Sequence, residues 1–210
     1  MTYTELGEFM NIAWILLYFL VINGLEIVIF FKVDGIGLTF ERIFKAFLLK
    51  FLLGAIFATF QFLDVSEYLS YFIEPLFGIC LSFLLLRGLP KKLLFFYGLF
   101  PIVLMDLFYR SVSYFVFPFL GQGIVDGDGN PLFLLIMLFV CFIVLVFLKW
   151  LDYDFTRLRK EFLDKGFQQS LTKINWIMGA YFLVMENLSY FEYAYDIQSK
   201  TVRHLILVFY

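Results

Sequence analysis

Long apolar runs limit the fold of this chain more than any other feature of its sequence. Several windows exceed the roughly 18 apolar residues that are typical of a helix crossing a bilayer. Hydrophobic residues make up 62% of the 210 positions, and 31 of them are Phe. Globular chains average only about 45–50% apolar residues. The sequence therefore predicts an all-α protein, a polytopic membrane bundle of helices.

Six complete membrane spans and the start of a seventh are predicted. The six cover, approximately, residues 9–31, 43–63, 68–86, 93–120, 132–148 and 174–190. The first should be retained, because the N-terminus lacks the positive leader of a signal peptide. The fourth would reach about 42 Å at 1.5 Å per residue, so it must tilt, kink near Pro101 or break before Pro118. The run that begins near Val202 is cut at Tyr210, and we expect the sequence to be a fragment.

Basic residues gather in the loops of one membrane side, and this asymmetry predicts the orientation of the bundle. The basic residues of these loops are Lys32, Arg42 and Lys45, then Arg87, Lys91 and Lys92, then Lys149, Arg157, Arg159, Lys160, Lys165 and Lys173. The opposite side has only Lys200 and Arg203. Cytoplasmic loops of membrane proteins carry the excess of Lys and Arg. We therefore expect a bacterial plasma-membrane protein whose N-terminus is extracellular.

The predicted outer side is acidic. Its carboxylates are Glu5, Glu8, Asp64, Glu67, Asp126, Asp128, Glu192 and Asp196. A negative surface with aromatic neighbours would attract a cationic amphipathic ligand. For most of these residues, ordinary solvation and interfacial aromatic belts are the favoured interpretation. The residues expected to contact a ligand are Asp64, Glu67, Glu74, Asp126 and Asp128.

Charged residues inside the predicted spans are candidate functional positions. An unpaired charge in hydrocarbon costs roughly 2.5–3.5 kcal/mol on insertion scales. Asp106 and Arg110 lie four residues apart in the fourth span, so they share a helix face and can pair. Such a pair is either a structural salt bridge or an intramembrane switch. Glu26, Glu74 and Glu186 lie in other spans, where they either hydrogen-bond between helices or line a pathway.

No catalytic, metal or cofactor site is predicted from the residue inventory. Cys80 and Cys141 lie in apolar runs, outside any metal-ligand spacing, and His204 is the only histidine. The stretch of residues 126–130 has acidic or amide side chains at alternate positions, as in the first half of a calcium loop. Pro and Met stand at positions 131 and 137, where such a loop needs Gly and Glu. A glycine-rich turn is therefore the favoured interpretation.

Residues 150–165 predict a helix that lies on the cytoplasmic membrane surface. Apolar residues recur at helical spacing, and charged residues fill the opposite face. The apolar residues are Leu151, Phe155, Leu158 and Phe162. This pattern is typical of an interfacial amphipathic helix. It belongs to a cytoplasmic loop, residues 149–173, which either anchors the chain as a linker or relays a signal to a cytoplasmic partner.

Three motifs resemble the sensor region of a known receptor family. They are Tyr97-Gly98-Leu99-Phe100-Pro101 with Asp106-Leu107 and Arg110, then Gln122-Gly123-Ile124 with Gly127, and Asp152-Tyr153-Asp154 with Arg157-Leu158-Arg159. Together they make the chain similar to the transmembrane sensor region of streptococcal peptide-pheromone receptor histidine kinases of the competence or bacteriocin-induction type. The resemblance covers most of the chain, and the run after Lys200 stands where the last span of that family begins.

The resemblance implies a quorum-sensing receptor. Members of the family bind a secreted peptide pheromone with their outer loops and upper spans. A cytoplasmic kinase domain with the phosphoacceptor histidine and an ATP-binding domain would follow, and it would act on a response regulator. Residues 1–210 would then be the membrane-embedded sensor domain of a two-component system, without catalytic residues. His204 lies at the predicted outer mouth of a span, so it cannot be that phosphoacceptor. Besides the peptide and the response regulator, the partners of the sensor domain would be the lipid bilayer and a second copy of the chain. Nucleic acid is not expected as a partner.

The residues also allow two other functions. A small transporter or channel could use Glu26, Glu74, Asp106 and Glu186 as a polar pathway, and it would support flux in proteoliposomes. An intramembrane enzyme is disfavoured, because the sequence has no paired catalytic motif. In the receptor interpretation, docking of a cationic peptide would shift the packing of spans two to four and six. Asp106 and Arg110 would then be an internal strut or switch.

Overall fold

The structure is a computed structural model that describes residues 3–62, 72–120, 131–151, 154–162 and 164–195. These ranges contain seven helices and no strand. The helices are α1 (Tyr3–Asp34), α2 (Phe40–Phe62), α3 (Ile73–Leu85), α4 (Lys91–Leu120), α5 (Pro131–Trp150), α6 (Phe155–Glu161) and α7 (Lys165–Tyr195). The all-α class predicted from the sequence is confirmed for this part of the chain.

The bounds of two helices can be compared with the spans predicted at the same places. α4 is helical without interruption from Lys91 to Leu120, so the break considered before Pro118 does not occur. α3 begins at Ile73, whereas the third span was predicted from about residue 68. Residues 68–71 lie outside the described ranges. Glu74, expected two turns into the span, therefore lies in the first turn of the described helix.

The loop that the sequence predicts to be cytoplasmic, residues 149–173, contains a shorter helix than expected. In the described part of residues 150–165, the helix between α5 and α7 is α6, with seven residues. α7 then begins at Lys165, well before the predicted start of the sixth span near residue 174. Asp164 is the reason, because its Oδ1 accepts a hydrogen bond from the Gly166 backbone N–H at 2.9 Å. This is the geometry of an N-cap residue, which hydropathy alone does not detect.

α1 ends at a glycine in the left-handed conformation. Gly35 has a φ of 59°, which most other residues adopt only with strain. The Ile36 N–H donates to the Phe31 carbonyl at 2.8 Å, and the Gly35 N–H donates to the Lys32 carbonyl at 3.4 Å. These two bonds form a Schellman motif. Asp34 is consequently the last helical residue of α1.

The chain divides into two compact units. The first unit comprises Met1–Phe47 and Pro101–Lys160. Within it, α1 packs against α5, and Phe108 of α4 meets Phe147 of α5 edge to face at 5.2 Å between ring centres. Its buried apolar residues include Ile27, Phe30, Phe31, Val33, Met105, Val140, Cys141 and Val144. These side chains form the core of the first unit.

The second unit comprises Leu48–Phe100 and Glu161–Tyr210. Within it, α3 and α4 approach each other closely at Gly98, and an added Cβ there would lie 2.7 Å from Ile79 Cα. The Ser82 hydroxyl donates to the Leu94 carbonyl at 2.7 Å across the same pair of helices. The Asn175 amide of α7 donates to the Lys92 carbonyl at 2.8 Å. Backbone contact and hydrogen bonds thus hold this unit together alongside its apolar core.

One helical segment in the described ranges, Lys91–Val112, is long and apolar enough to cross a membrane by length and composition. The segments Ile73–Leu85 and Leu134–Trp150 are apolar but shorter. The number of spans and their orientation therefore stay predictions.

Candidate functional site

An ion pair between α2 and α3, in the second unit, forms the candidate site. Lys50 Nζ lies 3.0 Å from Glu74 Oε2. The same nitrogen lies 4.9 Å from the centre of the Phe77 ring, which is within the range of a cation–π contact. The Lys50 side chain is 9% exposed, whereas the Glu74 side chain is 44% exposed. The cation is enclosed, and the carboxylate is accessible on one side.

The first turns of α3 bring the carboxylate and the ring to the same cation. Glu74 lies in the first turn, where the helix dipole favours a negative charge. Pro75 follows it, and proline is tolerated at a helix start because the backbone N–H there has no helical acceptor. Phe77 lies three residues after Glu74, so both side chains share the helix face that meets Lys50. The local sequence thus builds a two-part cation site.

The pair also shows where α3 begins relative to α2. Lys50 lies twelve residues before Phe62, the last residue of α2, which corresponds to about 18 Å along the helix axis. The N-terminal turn of α3 therefore lies beside the middle of α2. α3 itself has 13 residues and is about 20 Å long, shorter than a hydrocarbon core of about 30 Å. Glu74, at the start of α3, is thus paired with a residue near the middle of α2.

Sequence reasoning selected Glu74 and missed Lys50. The second span was predicted over residues 43–63 without attention to Lys50, a cation among apolar residues in its centre. A charge in that position needs a partner, so the combination of Lys50 with an acid in a neighbouring span was a usable signal. The partner itself could not be read from the sequence, because several acids lie in the predicted spans.

A second ion pair lies on α4, in the first unit. Arg110 Nε donates to Asp106 Oδ1 at 2.9 Å and to Asp106 Oδ2 at 2.8 Å. The two side chains are 24% and 23% exposed. The pairing predicted from the four-residue spacing is therefore present. Its role as a switch or a static strut stays a prediction, because the contact lies within one helix.

A hydrogen bond from a charged side chain to the backbone, which sequence reasoning missed, joins α1 to α6 within the first unit. Asp34, the last residue of α1, is fully buried. Arg159 Nη2 donates to the Asp34 backbone carbonyl at 3.4 Å. Neither carboxyl oxygen of Asp34 has a hydrogen-bond partner in the described part of the chain. Burial raises the pKa of the Asp34 carboxyl well above its ordinary value, and the Arg159 charge lowers it by less.

Asp34→Asn is expected to stabilise the fold at neutral and alkaline pH. Because the folded-state pKa of Asp34 is raised, its contribution to stability is complete below the unfolded pKa and is lost as pH rises through the folded pKa. Above the folded-state pKa, the wild-type protein must bury an ionised carboxylate without hydrogen-bond partners, whereas the neutral amide of Asn has no proton to lose. The thermal unfolding midpoint in detergent should exceed that of wild type at about pH 8, and the difference should vanish near pH 4.

Glu41→Gln is the control, because its pH dependence should have the opposite sign. The hydrogen bond and charge of Lys45 lower the pKa of the exposed Glu41 carboxyl. The contribution of Glu41 is therefore present above its unfolded pKa and is lost as pH falls. The control should lose a little stability at neutral pH and none at low pH. A parallel pH response of the two variants would contradict the assignment to Asp34.

Four of the five predicted ligand contacts lie outside the described residues. They are Asp64, Glu67, Asp126 and Asp128. Glu74 is the fifth, and its carboxylate forms an ion pair with Lys50 in the structure. In the described part of the chain, no cluster of three or more His, Cys, Asp or Glu side chains could hold a metal ion.

Comparison of the chain with family models, with curated proteins and with solved structures finds no match. The family suggested by the sequence motifs therefore stays a prediction.

Proposed function

We propose that this chain is the membrane-embedded sensor of a quorum-sensing two-component histidine kinase and binds a secreted cationic peptide. The observation that carries the proposal is the accessible carboxylate of Glu74 above the enclosed Lys50 and the Phe77 ring. A carboxylate beside an aromatic ring is the chemistry that recognises a cationic amphipathic molecule. The resemblance of the sequence motifs to peptide-pheromone receptors names the same class of ligand.

A polytopic position in the bacterial plasma membrane is part of this proposal, with six spans and the N-terminus outside. α5 supports it, because it is apolar on both faces. Val140 and Val144 are buried against the first unit, whereas Leu135, Phe139 and Phe142 are 53–62% exposed on the opposite face. A helix that is apolar all round belongs in a membrane or in a large core. Exposed apolar surface of this kind marks contact with lipid or a partner.

Signalling would follow from a difference in peptide affinity between two states of the sensor. The peptide would contact the outer acidic residues Asp64, Glu67, Asp126 and Asp128 together with Glu74. A change in the packing of α2 and α3 would be relayed to the kinase domain and its response regulator, which belong to the remainder of such a protein. Asp106 and Arg110 would hold α4 as a strut or respond as a switch.

Reversing two outer charges should weaken the response to the peptide. The change is Glu67→Lys with Asp126→Lys in the full-length protein, in a reporter strain that is dosed with conditioned medium from the parent strain. A like charge against a cationic ligand costs several kcal/mol, so the midpoint of the dose curve should rise at least about tenfold. The control is Glu41→Lys on the predicted inner side, which should leave the midpoint unchanged. An unchanged midpoint in the double variant would remove the electrostatic part of the proposal.

The orientation has its own test. Lys91→Cys in a background with Cys80→Ala and Cys141→Ala should react with a membrane-impermeant maleimide only after the cells are permeabilised, because basic loops face the cytoplasm. Asn130→Cys in the same background should react in intact cells. Reaction of position 91 in intact cells would overturn the receptor proposal, since the acidic surface would then face inward.

A further inference from the structure

We propose that Lys50 is a built-in competitor of the ligand, holding Glu74 in the resting receptor until a cationic group of the peptide replaces it. The inference rests on the proposed receptor function and adds a mechanism to it. The incoming group would be a primary ammonium or a guanidinium. Binding would then be the exchange of one cation for another at a single carboxylate.

The unequal enclosure of the two partners allows such an exchange. The Lys50 side chain is 9% exposed and the Glu74 side chain is 44% exposed. An approaching cation can therefore reach the carboxylate while the lysine still contacts it from the α2 side. A fully enclosed pair would have to open before any ligand could enter.

The surroundings of the pair suit any alkylammonium group. Lys50 Nζ lies 3.0 Å from a Glu74 oxygen and 4.9 Å from the centre of the Phe77 ring. A carboxylate and an aromatic face at these distances form a general ammonium site. Lys50 shows by its own contacts that a primary amine fits the site.

Exchange also supplies the conformational signal. A ligand cation keeps Glu74 neutralised and replaces the ammonium group of Lys50 at that carboxylate. The long side chain of Lys50 can then shift while it keeps its aliphatic part packed. The ion pair of Lys50 with Glu74, which joins α2 to α3, is therefore lost when the ligand is bound. The apparent affinity for the ligand is reduced by the fraction of time for which Lys50 occupies the site.

Zero-length cross-linking measures this occupancy directly. A membrane-permeant carbodiimide joins a carboxylate to an adjacent amine with loss of one water, so the resting protein in membranes should give a Lys50–Glu74 amide detectable by mass spectrometry. The probe is a synthetic amphipathic peptide of lysine and leucine, compared with the same peptide acetylated at every lysine, which removes the charge. The exposed Lys45–Glu41 pair in α2 provides a second cross-link in the same sample as the control.

The charged peptide should lower the Lys50–Glu74 cross-link at least threefold, and the acetylated peptide should not. The Lys45–Glu41 cross-link should stay constant with both. An unchanged Lys50–Glu74 cross-link, or equal loss of both cross-links, would overturn the inference. A reporter that still responds to conditioned medium in that case would leave the receptor function standing. Loss of the cross-link in a protein that drives no reporter would support the exchange and overturn the receptor function.

The variants give an independent measure. Lys50→Met removes the competitor and keeps an unbranched side chain beside Phe77, so binding of the fluorescently labelled charged peptide should tighten at least tenfold. Glu74→Gln should abolish the charge-dependent part of binding. Weaker binding by a folded Lys50→Met protein would show that Lys50 is structural. The cross-linking result on the wild-type protein decides the question if this variant does not fold.

Discussion

Gly98→Ala should destabilise the protein by about 3 kcal/mol, the upper part of the range for overpacked positions. The added Cβ would lie 2.7 Å from Ile79 Cα, 2.9 Å from Ile79 N and 3.0 Å from Gly78 C. All three atoms belong to the backbone of α3, so no side-chain rotation can relieve the contact. α3 and α4 would have to separate, which would stretch the hydrogen bond from Ser82 to the Leu94 carbonyl.

Two other helical glycines provide matched controls for Gly98→Ala. A Cβ added at Gly54 or at Gly179 meets no atom within 4 Å. Alanine is favoured over glycine in a helix by about 0.8–1.0 kcal/mol. Gly54→Ala and Gly179→Ala should therefore raise the thermal unfolding midpoint in the same detergent, whereas Gly98→Ala lowers it. A Gly98→Ala protein as stable as the controls would show that α3 and α4 do not touch at this position.

Glu74→Gln should also cost about 3 kcal/mol, at the low end of the range for breaking a buried ion pair. The Lys50 side chain is 9% exposed, so the variant removes the Glu74 carboxylate from an enclosed ammonium group. The Glu74 side chain is 44% exposed, which argues against a larger value because the pair is enclosed on one side only. Denaturation in detergent at neutral pH measures the loss.

A double-mutant cycle separates the pair from its surroundings. Lys50→Met combined with Glu74→Gln removes both charges, and neutral replacements of a buried pair are often close to neutral in stability. The double variant should therefore be more stable than Glu74→Gln alone. Glu41→Gln, which breaks the exposed pair with Lys45, should change stability little, as surface pairs usually do. Equal stability of wild type and Glu74→Gln would mean that Lys50 does not depend on Glu74.

The position of Asp34 favours the protonated form of its carboxyl group. The Schellman motif at Gly35 places this residue at the negative end of α1, where a carboxylate is disfavoured. Burial raises the pKa of Asp34, so its protonated form is the one that suits this position. The contact of Arg159 with the Asp34 carbonyl links this end of α1 to the loop helix α6.

Contacts within one helix could be predicted from the sequence, because helical periodicity fixes them. The long apolar runs predicted the all-α class, and the four-residue spacing predicted the pairing of Asp106 with Arg110. The hydrophobic pattern was less reliable at helix ends. It missed the Asp164 cap of α7, because caps depend on single hydrogen bonds rather than on average hydropathy.

Contacts between helices were decided by the tertiary structure alone. Lys50 and Glu74 are 24 residues apart in the chain, and Arg159 and Asp34 are 125 residues apart. Their pairing depends on which helices are neighbours and on how far each slides along the other, and neither quantity has a sequence period. The sequence by itself determined that the chain forms apolar helices carrying a few costly charges. Only packing determined that Lys50 meets Glu74 and that the Asp34 carboxyl is buried, because both depend on which residues the fold brings within reach.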